Sequence, residues 1–302
     1  MILVMKRTVL YLLLSLVVFF GLEKGFKWLT DGFSIDRIQS SLVFDERWET
    51  PSLGKDEEAR IRSLLQQKFT YFGRGSQFFA FISEDEQHLI KFFRQRKISP
   101  SPWLTSVRFP SFLEPYRLKK IQRRNATFQD TFNSCLISFK EFSKETGVVF
   151  LHLNKTNDLK ITLDIRDKIG RKFSLDLDSF EFIVQKKVES STDYITTLMS
   201  NGESDKAKEA IASLFKLIAH RRLKGYYDKD PDLKRNFGFS NGLPIEFDIG
   251  GFVKDPNKPE GYFRNREIIK ATRRFKVWLE DNYPELLPIF EEWKQFLYTL
   301  PE

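Results

Sequence analysis

Two stretches far apart in the chain narrow what it can fold into. In the first, residues 69–81 are rich in aromatics and broken by Gly73 and Gly75, and an apolar run with Lys91 near its end follows the polar turn Ser83-Glu84-Asp85-Glu86-Gln87. This pattern predicts three short strands, the first two joined by a tight glycine turn. In the second, Asn236-Phe237-Gly238-Phe239 and Pro244-Ile245-Glu246-Phe247 flank Ser240-Asn241-Gly242. That predicts a hairpin returning Asn236 and Asp248 to the same end. A Gly-x-Gly turn lets backbone amides face an anion without interference from Cβ. An amide oxygen beside a carboxylate is a donor set for a hard cation such as magnesium.

The remaining periodicities place these parts in an α+β chain of two lobes. Helical spacing is expected over residues 57–67, strands over 148–153, 159–165, 172–177 and 180–188, and a long helix over 116–143 behind a proline-punctuated loop. After residue 190 the pattern becomes mostly helical, at 191–200, 205–224, 266–282 and 285–300. No internal repeat is visible. Residues 56–189 thus read as a small β-rich lobe with one long helix, and 190–302 as a helical lobe.

Composition closes off several chemistries. Cys135 is the only cysteine and His88, His152 and His220 are far apart. Disulfides, multi-cysteine zinc sites and Cys–His catalysis are therefore not expected. The 31 Phe indicate a core built from Phe. Charge is uneven: from Lys91 to Arg124 there are ten basic residues and one acid, Glu114, a local excess greater than the +8 of the whole chain. The stretch from Arg94 to Arg124 is a candidate surface for an anionic substrate or lipid. No nucleic-acid-binding module signature is present, which makes nucleic acid an unfavoured partner.

At the N-terminus, fifteen uncharged residues from Thr8 to Leu22 follow Lys6 and Arg7. They predict a membrane anchor or uncleaved signal over residues 1–28, with residues 29–55 as a tether; a cleaved signal and a buried helix are the alternatives. Lys6 and Arg7 before the stretch and Lys24, Lys27 and Arg37 after it leave its orientation undetermined.

Taken with the motif order, the chain resembles the protein-kinase-like fold, in the divergent manner of bacterial small-molecule, lipopolysaccharide and protein kinases, over about residues 68–255. The resemblance implies ATP and Mg2+ as cofactors. It implies that Gly73 and Gly75 belong to the nucleotide loop, Lys91 contacts phosphates, and Asn236 and Asp248 hold the metal, with Gly250 completing an Asp-x-Gly turn. The base orienting the acceptor would be Asp230 or Asp228. Residues 180–185 would lead into the hinge beside adenine. An EF-hand reading of Asp228, Asp230 and Asp232 is excluded, because Leu233 and Phe239 stand where that loop needs Gly and Glu.

The sequence departs from the family pattern in four places. Phe78 occupies the third glycine position, and no Asp lies five residues before Asn236. No acid is plainly assigned to pair with Lys91 (Asp130, Glu141 and Glu114 are the options), and no Ala-Pro-Glu follows Asp248. The expected function is a membrane-tethered phosphotransferase. An inactive pseudokinase or interaction module, and a basic membrane protein binding anionic surfaces, are the other readings.

Overall fold

The computed structural model describes residues 2–51, 54–254 and 262–300. Among the described residues three α-helices precede the first strand, α1 (Ile2–Leu29), α2 (Ile35–Ile38) and α3 (Lys55–Leu65), with a short 3-10 turn at Glu46–Trp48. Among the described residues no helix is long and apolar enough to cross a membrane. This overturns the expected single-pass anchor over residues 1–28. The physical reason is length: the uncharged run of fifteen residues closes at Glu23 and Lys24, a rise of roughly 22 Å against about 30 Å of hydrocarbon. The segment read as a tether packs against the rest of the chain, with Phe33, Ile38 and Trp48 buried. Phe33 meets Phe79 and Phe81 edge-on, at ring-centroid separations of 5.3 and 5.1 Å.

The first half of the chain is a sheet with one long helix against it. Its strands are β1 (Phe69–Arg74), β2 (Phe78–Ser83), β3 (His88–Phe93), β4 (Val148–His152), β5 (Thr162–Arg166), β6 (Lys172–Asp176) and β7 (Phe182–Lys186). They lie side by side in the order β4-β7-β3-β2-β1-β5-β6, antiparallel except where β5 joins β1 in parallel. Between β3 and β4 run the short helices α4 (Gln95–Ile98) and α5 (Pro102–Ser106) and the long α6 (Glu114–Thr146). Gly147, with φ +67°, ends α6 in the left-handed conformation and turns the chain into β4.

Strand alternation divides the aromatics between two layers. Ile90 and Phe92 join Phe69, Phe79 and Phe81 in the layer beneath α3. Phe93 joins Phe78, Phe132, Cys135, Leu136 and Ile183 in the layer that α6 covers. Lys91, next to Phe93's side of the pleat, is thereby carried toward α6 and the second half of the molecule.

That second half comprises β8 (Glu189–Ser190), α7 (Ser191–Ser200), α8 (Ser204–Leu223), β9 (Tyr227–Asp228), β10 (Phe237–Ser240), β11 (Leu243–Glu246), β12 (Phe252–Val253), α9 (Tyr262–Asn282) and α10 (Leu287–Thr299). The helices bury a separate core that includes Ile211, Leu214, Phe215, Phe275 and Phe290. The expected hairpin forms as β10–β11, with Phe237 opposite Glu246 and Ser240 opposite Leu243. Asn241 and Gly242, at φ +51° and +75°, make its turn.

β8 lies along the other edge of β10, where Gly238 faces Ser190. A Cβ on Gly238 would stand 2.0 Å from the Glu189 carbonyl oxygen, a backbone atom that cannot swing aside. Gly238→Ala is expected to destabilise the protein by about 1–3 kcal/mol, as overpacking does, read as a lowered urea midpoint. An unchanged midpoint would mean that β8 does not lie against β10 in solution.

Candidate active site

The hairpin and a two-strand pairing bring the candidate acids together. β9 pairs antiparallel with β12, Asp228 opposite Phe252, so Asp228 lies beside the chain just beyond Asp248-Ile249-Gly250-Gly251. The Asp228 Oδ1 accepts a hydrogen bond from the Asp230 amide at 3.0 Å, and Lys229 N donates to the Gly251 carbonyl at 3.0 Å. A Cβ on Gly251 would come within 2.0 Å of Asp228 Oδ1, so this close approach requires glycine. From the other side, Ser134 of α6 holds the same segment, accepting from Phe252 N at 2.6 Å and donating to the Ile249 carbonyl.

The result is a cleft of about 260 Å³ whose walls include Ser76 and Gln77 from the β1–β2 turn, Asp130 and Thr131 from α6, and Asp228, Asp230, Asp248, Gly250 and Gly251. Four carboxylates named from sequence, Asp130, Asp228, Asp230 and Asp248, thus share one cavity, yet the surroundings of the last three differ. Asp228 is buried, and burial, opposed by Arg221, raises its pKa to about 6. Its carboxyl interacts with that of Glu246, whose pKa burial also raises. Asp228 Oδ2 and Glu246 Oε1 are buried with no hydrogen-bond partner among the described residues, and burial of the two neighbouring carboxyls favours their neutral forms. Asp230 stands at the rim, exposed, with Lys270 Nζ at 3.6 Å. Asp248 is exposed to the cleft.

Neither Asn236 nor Lys91 lines this cavity. Asn236 accepts from Phe247 N at 2.8 Å through its carbonyl, which extends the hairpin ladder toward Asp248. Its Nδ2 donates to the Asp230 carbonyl at 2.8 Å. Lys91 Nζ donates to the Phe247 carbonyl at 3.1 Å, an oxygen that also receives Gln185 Nε2 at 3.2 Å. Burial pushes the Lys91 pKa down, with the negative charge of Asp248 acting against it. No acid of α6 pairs with Lys91. Cys135 is the α6 residue whose interaction with the lysine is felt, while Asp130 pairs with Lys229 at 2.8 Å and Glu114 with Arg117 at 2.6 Å.

Gly73 lies within β1, opposite Ala80 at a break in register, and Gly75 on the β1–β2 turn; neither lines the cleft. A Cβ at either would meet nothing within 4 Å, so packing does not demand glycine there. Arg94 fastens the turn: its amide donates to the Gln77 carbonyl at 2.7 Å and its guanidinium to the Gly75 carbonyl at 2.5 Å. Gln77 reaches down to Gly250, where a Cβ would sit 2.1 Å from Gln77 Oε1. The sequence carried no signal for this contact, nor for the charges behind Asp228.

Those charges are Arg221, Glu246 and Glu267, all buried. Arg221 pairs with Glu246 and, at 2.6 Å, with Glu267. The Asp228 amide donates to Glu267 Oε1 at 3.0 Å. Burial opposes the Arg221 charge, and the two glutamates more than offset it, so its pKa is raised.

No three His, Cys, Asp or Glu gather to hold a metal unaided among the described residues. Magnesium does not need such a cage, since one or two carboxylates and substrate phosphates suffice. Asp248 makes no hydrogen bond or ion pair among the described residues, and the Asn236 amide still has its oxygen to offer. This donor set fits a hard cation.

No protein-family model and no curated protein matches the chain. Among solved structures, it is 13% identical to the bifunctional kinase-methyltransferase WbdD, covering 75% of this chain and 43% of that one, with a TM-score of 0.33. A second similar structure is Rv3197 of Mycobacterium tuberculosis in complex with erythromycin, 14% identical over 80% of this chain and 61% of that one, with a TM-score of 0.32. The chain therefore spans less than two thirds of the length of either.

Proposed function

We propose that this cleft is a divergent kinase-like site that binds ATP with magnesium and transfers phosphate to an acceptor hydroxyl. The observation that carries the reading is the meeting of Asp228 and the Asp248–Gly251 segment beneath the turn of a strand pair, with Lys91 from the third strand directly behind Phe247. Phosphoryl transfer rests on positioning and charge, and each of those parts has a place in it. The β1–β2 turn would cover the phosphates, and Lys91 would neutralise them. Asp248, with Asn236 beside it, would hold magnesium, which supplies charge neutralisation on the phosphates when bound. Asp228 would accept the acceptor's proton at its carboxylate, since a base with a pKa near 6 is matched to neutral pH. Asp230, exposed at the rim, would face the incoming acceptor.

The full-length chain should gain stability with ATP and magnesium together, by about 2.7 kcal/mol at a hundred times the dissociation constant. Asp248→Ala should abolish that gain. An equal gain in the variant, or none in the wild type, removes the nucleotide site.

A second reading, an inactive pseudokinase, is favoured by the absence of an α6 acid paired with Lys91 and by Gln77 lying against Gly250. It predicts ATP binding without phosphate release or transfer. Turnover that falls with Asp228→Asn but survives Asp230→Asn favours the active enzyme.

A further inference from the structure

We infer that the N-terminal half of α6 is the acceptor's docking groove, and that the acceptor is a soluble compound carrying a phosphate some distance from the hydroxyl it presents. The inference rests on the phosphotransfer reading of the cleft, although its binding arm can be measured without it. A second cavity, of about 480 Å³, is walled by Tyr116, Lys119, Lys120, Arg123, Arg124 and Thr127. Those positions recur every three or four residues and so form one face of the helix. Thr127 belongs to both cavities, so the basic groove runs into the cleft along that face.

The charges in the groove are not neutralised from within. Lys119, Lys120 and Arg123 have no acidic partner among the described residues, and Lys120 lies 6.0 Å from the Tyr116 ring. The neighbouring acids are engaged elsewhere, Glu114 by Arg117 and Asp130 by Lys229. Clustered cations lining a concave, low-dielectric surface concentrate an anion. Asp130 and Thr131 mark where α6 enters the cleft. From Arg123 to Thr131 the helix rises roughly 12 Å, and from Lys120 roughly 16 Å. An acceptor with its phosphate among Lys119, Lys120 and Arg123 can therefore place a hydroxyl near Asp228 if the two groups are about 12–16 Å apart. Concavity favours a soluble ligand over a lipid surface, because a flat bilayer meets the rim of a groove rather than its floor.

Inorganic tripolyphosphate serves as the probe, added to the full chain at constant ionic strength with ATP-magnesium already saturating. It should protect Lys119 and Lys120 from acetylation. Its affinity should fall at least tenfold in Lys119→Glu/Lys120→Glu/Arg123→Glu, while the thermal gain with ATP-magnesium stays that of the wild type. Unprotected lysines, or an affinity unchanged in the variant, overturn the docking groove. Binding to phosphatidylglycerol vesicles without binding to free tripolyphosphate also overturns it, in favour of a lipid surface, for which exposed Phe112 and Leu118 would be the apolar contacts. Loss of the ATP-magnesium gain in the wild type, with tripolyphosphate protection intact, sinks the nucleotide site and leaves the groove standing.

Discussion

Arg221→Met is expected to lower the stability of the protein by about 3–5 kcal/mol, the cost of leaving buried carboxylates without their cation. Arg221 is 2% exposed and pairs with Glu246 of β11 and Glu267 of α9. Its guanidinium also lies 5.0 Å from the Phe252 ring. One side chain therefore ties α8 to the hairpin that ends at Asp248 and to the helix that holds the Asp228 amide. A loss of this size is a large part of the 5–15 kcal/mol that holds a typical domain folded. The control is the double variant Arg221→Met/Glu246→Leu, measured with the single variant by urea unfolding. Removing both charges of a buried pair is often neutral or favourable, and Glu267 keeps Arg222 at 3.9 Å. The double variant should regain at least half of the loss. Should it be as unstable as Arg221→Met alone, lost packing and not the unpaired charge is the cause.

How much of this was legible in the sequence depends on whether the signal was local. The β10–β11 hairpin was readable because Asn241-Gly242 demands positive φ between two apolar stretches, and those are the angles found. Although neither Gly73 nor Gly75 adopts positive φ, the three strands from Phe69 to Phe93 were readable from their apolar runs and the polar turn between them. The face on which Lys91 emerges was not, since alternation gives two faces and only the packing of α6 makes one of them the interior. Counting back from Asn236 left Asp228 and Asp230 as alternatives for a related reason. β9 and β12 are two residues each, too short to leave a pattern, yet they bury one aspartate and leave the other at the rim. The Arg221–Glu246–Glu267 cluster joins three elements distant in sequence, and no periodicity records it. Hydropathy at the N-terminus overreached, because it scores how apolar a run is more readily than whether the run is long enough to span.

Asp228→Asn is expected to stabilise the protein at pH 8 while removing its turnover. The Asp228 carboxyl titrates at about 6 in the folded chain against 3.8 when unfolded, through burial that Arg221 only partly offsets. Because the folded pKa is raised, the native state keeps a proton that the unfolded chain releases between about pH 4 and pH 6. Stability therefore falls as pH rises through that window, and the full cost, about 3 kcal/mol for a shift of some two units, is present at pH 8. An amide at position 228 carries no charge to bury. It can keep the acceptor oxygen used by the Asp230 amide and offers an N–H to the neighbouring Glu246 carboxyl. The variant should thus be more stable than wild type by about 1–3 kcal/mol at pH 8, with the difference roughly halved near pH 5, where the unfolded Asp228 has already released its proton and the folded one still holds it. Phosphate transfer at pH 8 should fall by about 10²–10⁴, the usual contribution of a positioned base. Urea unfolding at the two pH values, alongside a transfer assay, separates the two effects. A variant less stable than wild type at pH 8 would show that the Asp228 carboxylate supports the fold, and its assignment as a base held at a cost in stability would fail. A stabilised variant with undiminished turnover would keep the electrostatics and move the base elsewhere, with Asp230 the next residue to replace.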